Sequence, residues 1–145
     1  MKAFAVSPGI SGSACVIEIP DPKPLPGEVL VEIIEVGLCG TDTEINSGLY
    51  GEAPKGEKSL VLGHEALGRL IDGRLVVPMV RRPCGKCSPC AEHNQDMCSS
   101  GRFTERGIKA LGGSICAWIS ESPKMLIEVP AQTRPFAVLL EPMSV

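Results

Sequence analysis

Short apolar runs separated by proline and glycine recur along the whole chain, and they have the length of strands rather than of helices. Each run is rich in Val, Ile, Leu or Ala and ends close to a turn-forming residue. Many short strands joined by turns favour a β-sandwich or a β-barrel. The strands that we predict are Lys2–Val6, Ala14–Ile19, Glu28–Gly37, Leu60–Leu62, Ala66–Ile71, Arg74–Pro78, Ile115–Ile119 and Leu126–Val129.

The segment Val29–Val36 carries the strongest strand pattern. Its sequence, VLVEIIEV, alternates imperfectly, because the polar positions Glu32 and Glu35 are three residues apart. A strand with so few polar positions is expected to be buried on much of both faces.

Helix signals are sparse. Thr41 and Asp42 have the side-chain oxygens that N-caps prefer, so we predict a short helix that runs through Ile45 and stops at Gly48. A second short helix is predicted over Arg134–Leu140, after the turn at Pro130.

Composition agrees with one compact, mainly β domain. The chain has 145 residues, of which 43% are hydrophobic and 21% charged. Only 3% are aromatic, so the core must be mostly aliphatic. The 13 prolines and 16 glycines exclude a bundle of long helices.

The charge pattern excludes two classes of partner. The formal net charge is −3, and Lys and Arg form no run, so we expect neither nucleic acid nor an anionic membrane as a partner. The N-terminal segment is interrupted at Pro8 and Gly9, and no apolar run approaches the roughly 18 residues of a membrane helix. We therefore predict a soluble, cytoplasmic protein.

Seven cysteines in such a chain indicate metal ligands or catalysis rather than disulfides. Four of them lie in the polar segment Arg81–Gly101 with the spacing C-x2-C-x2-C-x7-C, which suits a closed, structural zinc site. An iron-sulfur cluster and four buried free thiols are the alternatives. We interpret His93 in the same segment as a solvated residue. The four cysteines are Cys84, Cys87, Cys90 and Cys98.

A second set of donors is chemically mixed. Cys39 lies in the motif G-L-C-G-T-D after the strongest strand, and His64 and Glu65 lie between the apolar triplets VLG and ALG. Taken singly, they could be a buried thiol, a hydrogen-bonded core histidine and a solvated carboxylate. An ionisable pair in an apolar stretch is costly without a compensating cation, so together they indicate a zinc site with an open position.

In combination, G-x-C-G-T-D, G-H-E and the four-cysteine lobe resemble the zinc-dependent medium-chain alcohol and polyol dehydrogenases. The resemblance covers Met1 to Val145 and lies in their catalytic, GroES-like domain. The segment CSSGRFTERGIKALGG looks most like the archaeal glucose (aldose) dehydrogenases, and LLEPMSV is similar to the E-P-L-S-V of sugar and polyol enzymes. The fold that this implies is a GroES-like irregular barrel over residues 1–145, with a few short helices and a structural-zinc lobe at 81–101.

The resemblance also implies a role for each site residue. Cys39, His64 and Glu65 would hold or flank a catalytic zinc, with Glu141 as a further carboxylate, bound directly or through water. Other roles would be proton relay for Thr41, orientation of the zinc-binding imidazole for Asp42, and contact with sugar hydroxyls for Glu105. For Glu105, an exposed loop carboxylate is the alternative interpretation.

The implied activity is oxidation of a sugar hydroxyl with hydride transfer to NAD or NADP. The chain contains no G-x-G-x-x-G fingerprint, so we expect the nucleotide to bind in a domain absent from this chain, which would be inactive by itself. The whole protein is predicted to be a homo-oligomer, as relatives often are.

Other interpretations stay open. Polyol, threonine and secondary-alcohol dehydrogenases share the same zinc residues, and a stand-alone GroES-like module could bind zinc and act by interaction alone. The sequence departs from the family in a shortened loop at Ile71–Arg74 and in Val80, which replaces an amide that helps to bind sugar in glucose enzymes. Cys15 and Cys116 belong to neither donor set, and we predict that they are small core residues.

Overall fold

The fold is built from short β-strands, as the sequence predicts. The structure is a computed structural model that describes residues 1–144. The strands are β1 (Lys2–Val6), β2 (Cys15–Glu18), β3 (Val29–Gly37), β4 (Leu60–Val61), β5 (Glu65–Leu70), β6 (Leu75–Pro78), β7 (Arg81–Arg82), β8 (Thr104–Arg106), β9 (Ala110–Leu111), β10 (Trp118–Glu121) and β11 (Leu126–Val129). The helices are α1 (Gly40–Asn46) and α2 (Ser88–Ala91), with 3-10 turns at Gln95–Met97, Pro123–Met125, Ala131–Leu139 and Pro142–Ser144.

The strands of residues 1–144 form three sheets. The largest has the antiparallel order β10-β3-β5-β6-β11, and the second has the order β2-β1-β4. The third, β7-β8-β9, pairs β7 with β8 antiparallel and β8 with β9 in parallel, and it stands at the base of the four-cysteine lobe. An isolated bridge between Ala3 and Cys116 links the chain leading into β10 to the second sheet.

The eight predicted strands are present, with shifted ends. The largest shift is in Ile115–Ile119, where the regular strand begins at Trp118, because Ile115 and Cys116 pair with other segments instead. Strands β7, β8 and β9 were not predicted, because each has only two or three residues. In addition, strands β7 and β8 consist of polar residues.

A β-bulge in β3 accounts for the imperfect alternation of polar and apolar residues in this strand. Its register against β5 shifts between Ile33 and Glu35, which is a β-bulge, so the alternation changes phase within the strand. The expectation that it is buried on much of both faces is wrong. Val31 is fully buried, but the rest of the strand is half-buried.

The two predicted helices also differ in detail. Helix α1 begins after Cys39 rather than Thr41 or Asp42, because the Asp42 carboxylate, at the third helical position, accepts a hydrogen bond from the Cys39 backbone N–H. The segment predicted as Arg134–Leu140 is a 3-10 turn over Ala131–Leu139 that contains Pro135, whose missing N–H removes an α-helical hydrogen bond.

The core is aliphatic, in agreement with the scarcity of aromatic residues. One cluster joins α1 to strands β1 and β4, and it includes Val6, Ile45, Leu60 and Leu62. Another lies between the large sheet and the 3-10 turn at Ala131–Leu139. Both clusters lie beside the segments that carry the candidate ligands, so core packing holds those segments in place.

Two smaller expectations have definite outcomes. Cys15 is exposed, so its prediction as a core residue is wrong, whereas Cys116 packs against two core clusters and is half-buried. The short loop at Ile71–Arg74 is a tight hairpin turn, with Gly73 at φ 91°.

Among the described residues, no helix combines the length and apolar character that crossing a bilayer requires.

Candidate functional site

Strand pairing brings Cys39 and His64 together. At the end of β3, Gly37 is opposite Glu65, the first residue of β5. Because the strands are antiparallel, the residues that follow Gly37 run beside those that precede Glu65, and Cys39 Sγ lies 3.2 Å from His64 Nε2. Gly63, at φ 94°, allows the sharp turn before His64, and a Cβ there would clash with Val36 and Ile115.

The two nitrogens of His64 face different groups. Nε2 faces Cys39 Sγ and lies 4.0 Å from the Glu65 carboxylate, whereas Nδ1 lies 3.7 Å from Asp42 Oδ1. The other oxygen of Asp42 is fixed by the Cys39 N–H at 3.0 Å. Asp42 is therefore placed to orient the imidazole, and Nε2 is the nitrogen available to a metal ion.

Glu141 joins this group from the far end of the chain. The 3-10 turn at Ala131–Leu139 packs on β3, β5, β6 and β11 and directs the following residues toward β5. Ligand atoms of His64, Glu65 and Glu141 lie within 4.8 Å of one another. Burial raises the pKa of Glu141, an effect that the charge of Glu65 reinforces and His64 opposes.

The donors fit a divalent cation. Cys39, Asp42 and His64 form one group with ligand atoms within 4.8 Å, and the Glu141 group overlaps it at His64. Asp42, His64 and Glu65 are each more than nine-tenths buried, and within residues 1–144 Asp42 Oδ1 and His64 Nδ1 have no hydrogen-bond partner. Buried carboxylates around one imidazole and one thiol need a compensating positive charge, and zinc accepts all three donor types.

The donors open into a cavity of about 960 Å³. Its apolar lining includes residues of β6, Ile108 and Ile127, and Thr41, two residues after Cys39, also lines it. A volume of this size suits a small organic ligand, and the mixture of apolar wall and few polar groups is typical of such sites. The polar residues of the lining are Cys39, Thr41, His64, Glu65, Arg81, Gln95, Asp96, Glu105, Glu141 and Ser144.

One side of the cavity is built by the four-cysteine lobe and the small sheet. We call Arg81, Gln95, Asp96 and Glu105 the lobe wall. Arg81 and Glu105 are opposite each other on β7 and β8, and Arg81 donates from Nε and one terminal nitrogen to Glu105 Oε1 at 2.9 and 2.7 Å. Glu105 is 6% exposed. The alternative interpretation of Glu105 as an exposed loop carboxylate is therefore wrong.

The lobe brings its four thiols together. Ligand atoms of Cys84, Cys87, Cys90 and Cys98 lie within 4.8 Å of one another, with Cys87 Sγ 3.5 Å from Cys84 Sγ and 3.8 Å from Cys98 Sγ. Cys87 caps α2, whose first turn contains Pro89, and this compact turn sets the spacing of the second and third thiols. His93 is exposed, at φ 64°, and lies outside this group, as predicted.

The thiols have unequal proton affinities. Hydrogen bonding from Ser100, with two backbone N–H groups, lowers the pKa of Cys84 to about 5. The backbone N–H of Cys90 lowers the pKa of Cys87 to about 7, whereas burial raises the pKa of Cys90 to about 12. A positive ion would compensate the buried sulfur, since metal binding deprotonates a thiol outright.

Sequence reasoning missed Arg81 and Gln95. Both are polar residues in a polar segment, and no local pattern distinguishes them from solvated neighbours such as Asn94. They reach the cavity because β7 pairs with β8 and because the 3-10 turn at Gln95–Met97 folds back on β7.

The chain is similar to proteins of one known family. Residues 25–131 match the family described as the alcohol dehydrogenase GroES-like domain. Glucose 1-dehydrogenase of Methanocella arvoryzae is 46% identical over 156 residues, covering 100% of this chain and 44% of that protein. Glucose 1-dehydrogenase of Thermoproteus tenax is 43% identical over 155 residues, covering 100% and 43%.

A solved structure agrees with these relatives. Haloferax mediterranei glucose dehydrogenase, in complex with NADP, Zn and gluconolactone, matches with a TM-score of 0.91 at 39% identity. The match covers 100% of this chain and 43% of that one. The chain thus spans less than half the length of the relatives that it matches.

Proposed function

The chain belongs to the alcohol dehydrogenase GroES-like domain family, and we propose that it is the zinc-holding catalytic domain of an NAD(P)-dependent dehydrogenase that oxidises a sugar such as glucose. Membership of the family agrees with the predicted fold, a mainly β GroES-like domain. The observation that carries the proposal is the cluster of Cys39, His64 and three buried or half-buried carboxylates at a cavity of ligand size. The names of the most similar relatives support a sugar substrate.

Each donor has an assigned part in this proposal. Cys39 Sγ, His64 Nε2 and the Glu65 carboxylate would hold the catalytic zinc, with Glu141 beside it, directly or through water. Cys84, Cys87, Cys90 and Cys98 would hold a structural zinc. When bound at the first site, zinc supplies a Lewis acid that lowers the pKa of a substrate hydroxyl.

The chain's own residues would move the proton and fix the geometry. The Thr41 hydroxyl lines the cavity and can accept a proton from the substrate while donating its own outward. The Asp42 carboxylate lies 3.7 Å from His64 Nδ1, so it would orient the ring electrostatically while Nε2 faces the Cys39 thiol. Glu105, buried in the lobe wall, has one oxygen engaged by Arg81 and offers the other to a sugar hydroxyl.

The nicotinamide would bind outside this chain. The 145 residues correspond to about 43% of the relatives' length, and the H. mediterranei structure contains NADP. We propose that a separate nucleotide domain completes the enzyme, and that residues 1–145 form its catalytic domain. Assembly as a homo-oligomer and a cytoplasmic location stay predictions.

Turnover by the complete gene product that carries this chain tests the proposal. We expect D-glucose or another aldose to reduce NAD or NADP in the presence of zinc, followed by the absorbance of the reduced nicotinamide. Turnover of threonine, a polyol or a secondary alcohol, with none of any aldose, would contradict the sugar assignment. Absence of turnover with every substrate at full zinc loading would favour the interaction module instead.

Loss of one lobe thiol tests the structural zinc. We expect Cys87→Ser to remove one zinc ion and to increase amide hydrogen exchange across residues 81–101, because the lobe has almost no apolar residues to hold it without metal. The catalytic cluster lies outside the lobe and should retain its ion. Ser99→Ala, at an exposed lobe position, is the matched control. Unchanged exchange with both ions retained would contradict the assignment.

A further inference from the structure

Gln95 is a buried amide that faces the cavity. It begins the 3-10 turn at Gln95–Met97 in the four-cysteine lobe, lines the cavity and is 9% exposed. Its neighbours Asn94 and Asp96 are exposed. Among the hydrogen bonds of residues 1–144, the Gln95 backbone carbonyl accepts from Cys98, but the side-chain amide has no partner.

The Gln95 side-chain amide makes no hydrogen bond within residues 1–144 and borders the cavity. It carries two donors and one acceptor, and because Gln95 lines the cavity these groups are available to a ligand that enters it. Buried polar groups without partners in a ligand cavity are the groups that a ligand satisfies, and they set specificity because an analogue that lacks the matching group leaves them unpaired.

The turn that carries Gln95 is held in place. The Asp96 backbone carbonyl accepts a hydrogen bond at 2.9 Å from Arg81, whose other two nitrogens donate to Glu105. The Phe103 ring lies 4.3 Å from the Arg81 guanidinium and 4.1 Å from Lys109 Nζ, so the cation of Arg81 also rests on an aromatic face. Gln95 is thereby presented to the cavity by a rigid contact between the lobe and the small sheet.

The charge of the lobe wall indicates which ligand fits. Each nitrogen of Arg81 already donates within the protein, and its charge is balanced by Glu105. Asp96, an exposed residue of the same wall, adds a second negative charge to this side of the cavity. A phosphate or carboxylate would meet one engaged cation and two anions, whereas a neutral hydroxyl can both donate to and accept from the Gln95 amide.

We propose that Gln95 is a specificity-determining residue that hydrogen-bonds a hydroxyl of a neutral polyhydroxylated substrate, and that the lobe wall disfavours phosphorylated sugars. The inference rests on the proposed function and deepens it, because it names the chemistry of the substrate away from the reacting carbon. It also gives the lobe a part in substrate recognition besides its part in metal binding.

Ligand binding to the zinc-loaded protein tests this inference without relying on turnover. We would measure Kd by ligand-observed NMR titration for D-glucose, for glucose 6-phosphate and for 2-propanol, which lacks remote hydroxyls. Gln95→Leu is expected to weaken D-glucose binding about tenfold, which corresponds to one lost hydrogen bond, and to leave 2-propanol binding unchanged. The control Asn94→Ala removes an exposed amide from the adjacent position. It should leave the Kd of D-glucose and the Kd of 2-propanol unchanged.

A second variant tests the charge argument. The unsubstituted protein should bind D-glucose with a lower Kd than glucose 6-phosphate. Asp96→Asn should reduce the ratio of the two Kd values, because it removes one negative charge from the lobe wall. Zinc content and thermal melting of each variant establish that the lobe is intact. If Gln95→Leu fails to fold, Gln95→Glu replaces it, because this variant keeps the size of the side chain but removes its N–H donors. We expect Gln95→Glu to weaken D-glucose binding as well.

The outcomes separate the two proposals. D-glucose binding that is equal in the unsubstituted, Gln95→Leu and Gln95→Glu proteins would overturn the role of Gln95 and leave the sugar dehydrogenase assignment standing. Tighter binding of glucose 6-phosphate than of D-glucose would overturn the preference for neutral ligands. Binding of 2-propanol without binding of any sugar would overturn the proposed sugar substrate and the inference with it.

Discussion

Substitution of Glu121 by Ala is expected to destabilise the domain by about 3–5 kcal/mol, the cost of breaking a buried ion pair on one side. Glu121 ends β10, and one of its carboxylate oxygens accepts hydrogen bonds from both Arg106, at 2.7 Å, and Arg82. The side chains of the three residues are 8%, 6% and 13% exposed, respectively. Ala would leave two guanidinium groups buried without an anion.

The surrounding structure offers little compensation for that loss. The other oxygen of Glu121 accepts from the Ser122 N–H, and the arginines also donate to the backbone carbonyls of Met79 and Gly112. Burial already lowers the pKa of Arg82, which reflects the cost of its charge in this position. Because the arginines belong to β7 and β8 and Glu121 to β10, the substitution also loosens the contact between the small and large sheets.

Chemical denaturation followed by circular dichroism measures this effect. The matched control is Glu128→Ala on β11, where an exposed carboxylate pairs with Arg74 at 3.0 Å and its side chain is 60% exposed. An exposed pair contributes no more than about 1 kcal/mol. Similar unfolding free energies for the two variants would show that the buried network does not stabilise the fold as its geometry indicates.

Substitution of Cys39 by Ser is expected to lower the zinc content from about two ions per chain to about one, with the fold retained. Cys39 is the thiol nearest to His64 Nε2, and a serine hydroxyl is a far weaker zinc ligand than a thiolate. The fold should tolerate the change, because Cys39 precedes α1 as its N-cap and Ser is a preferred residue there.

Elemental mass spectrometry of the purified chain gives the zinc count, and thermal melting reports on the fold. Cys15→Ser is the control, since Cys15 is exposed and lies outside both groups of candidate ligands. Loss of both ions, or global unfolding, from the Cys39 change would contradict two independent sites. One ion in the unsubstituted chain that survives the change would restrict metal binding to the lobe.

The positions of the strands were predictable because they depend on local patterns. Runs such as Lys2–Val6 and Leu126–Val129 are mostly apolar, and a proline follows each of them within two residues. Strands β7 and β8 were not predictable in the same way. Arg81, Arg82 and Arg106 look solvated in the sequence, and they form strands because a buried carboxylate and a facing strand supply their partners.

The candidate metal donors also fall into two groups, those that local spacing predicts and those that tertiary packing brings together. The lobe thiols could be predicted because two-residue gaps bring successive side chains to one ion through local geometry. Cys39 and His64 were recognised as a pair through their motifs, but their 3.2 Å separation depends on the register of β3 against β5. The approach of Glu141 depends on the packing of the 3-10 turn at Ala131–Leu139 against the large sheet.

The sequence by itself determined the β-rich architecture, the aliphatic core and the metal-donor motifs, because each depends on residue type and short spacing. The tertiary structure decided that Glu105 is buried against Arg81, that Gln95 faces the cavity and that Glu121 joins two arginines. These placements depend on residues distant along the chain. A charge removed from water requires a partner, and folding determines which one is near.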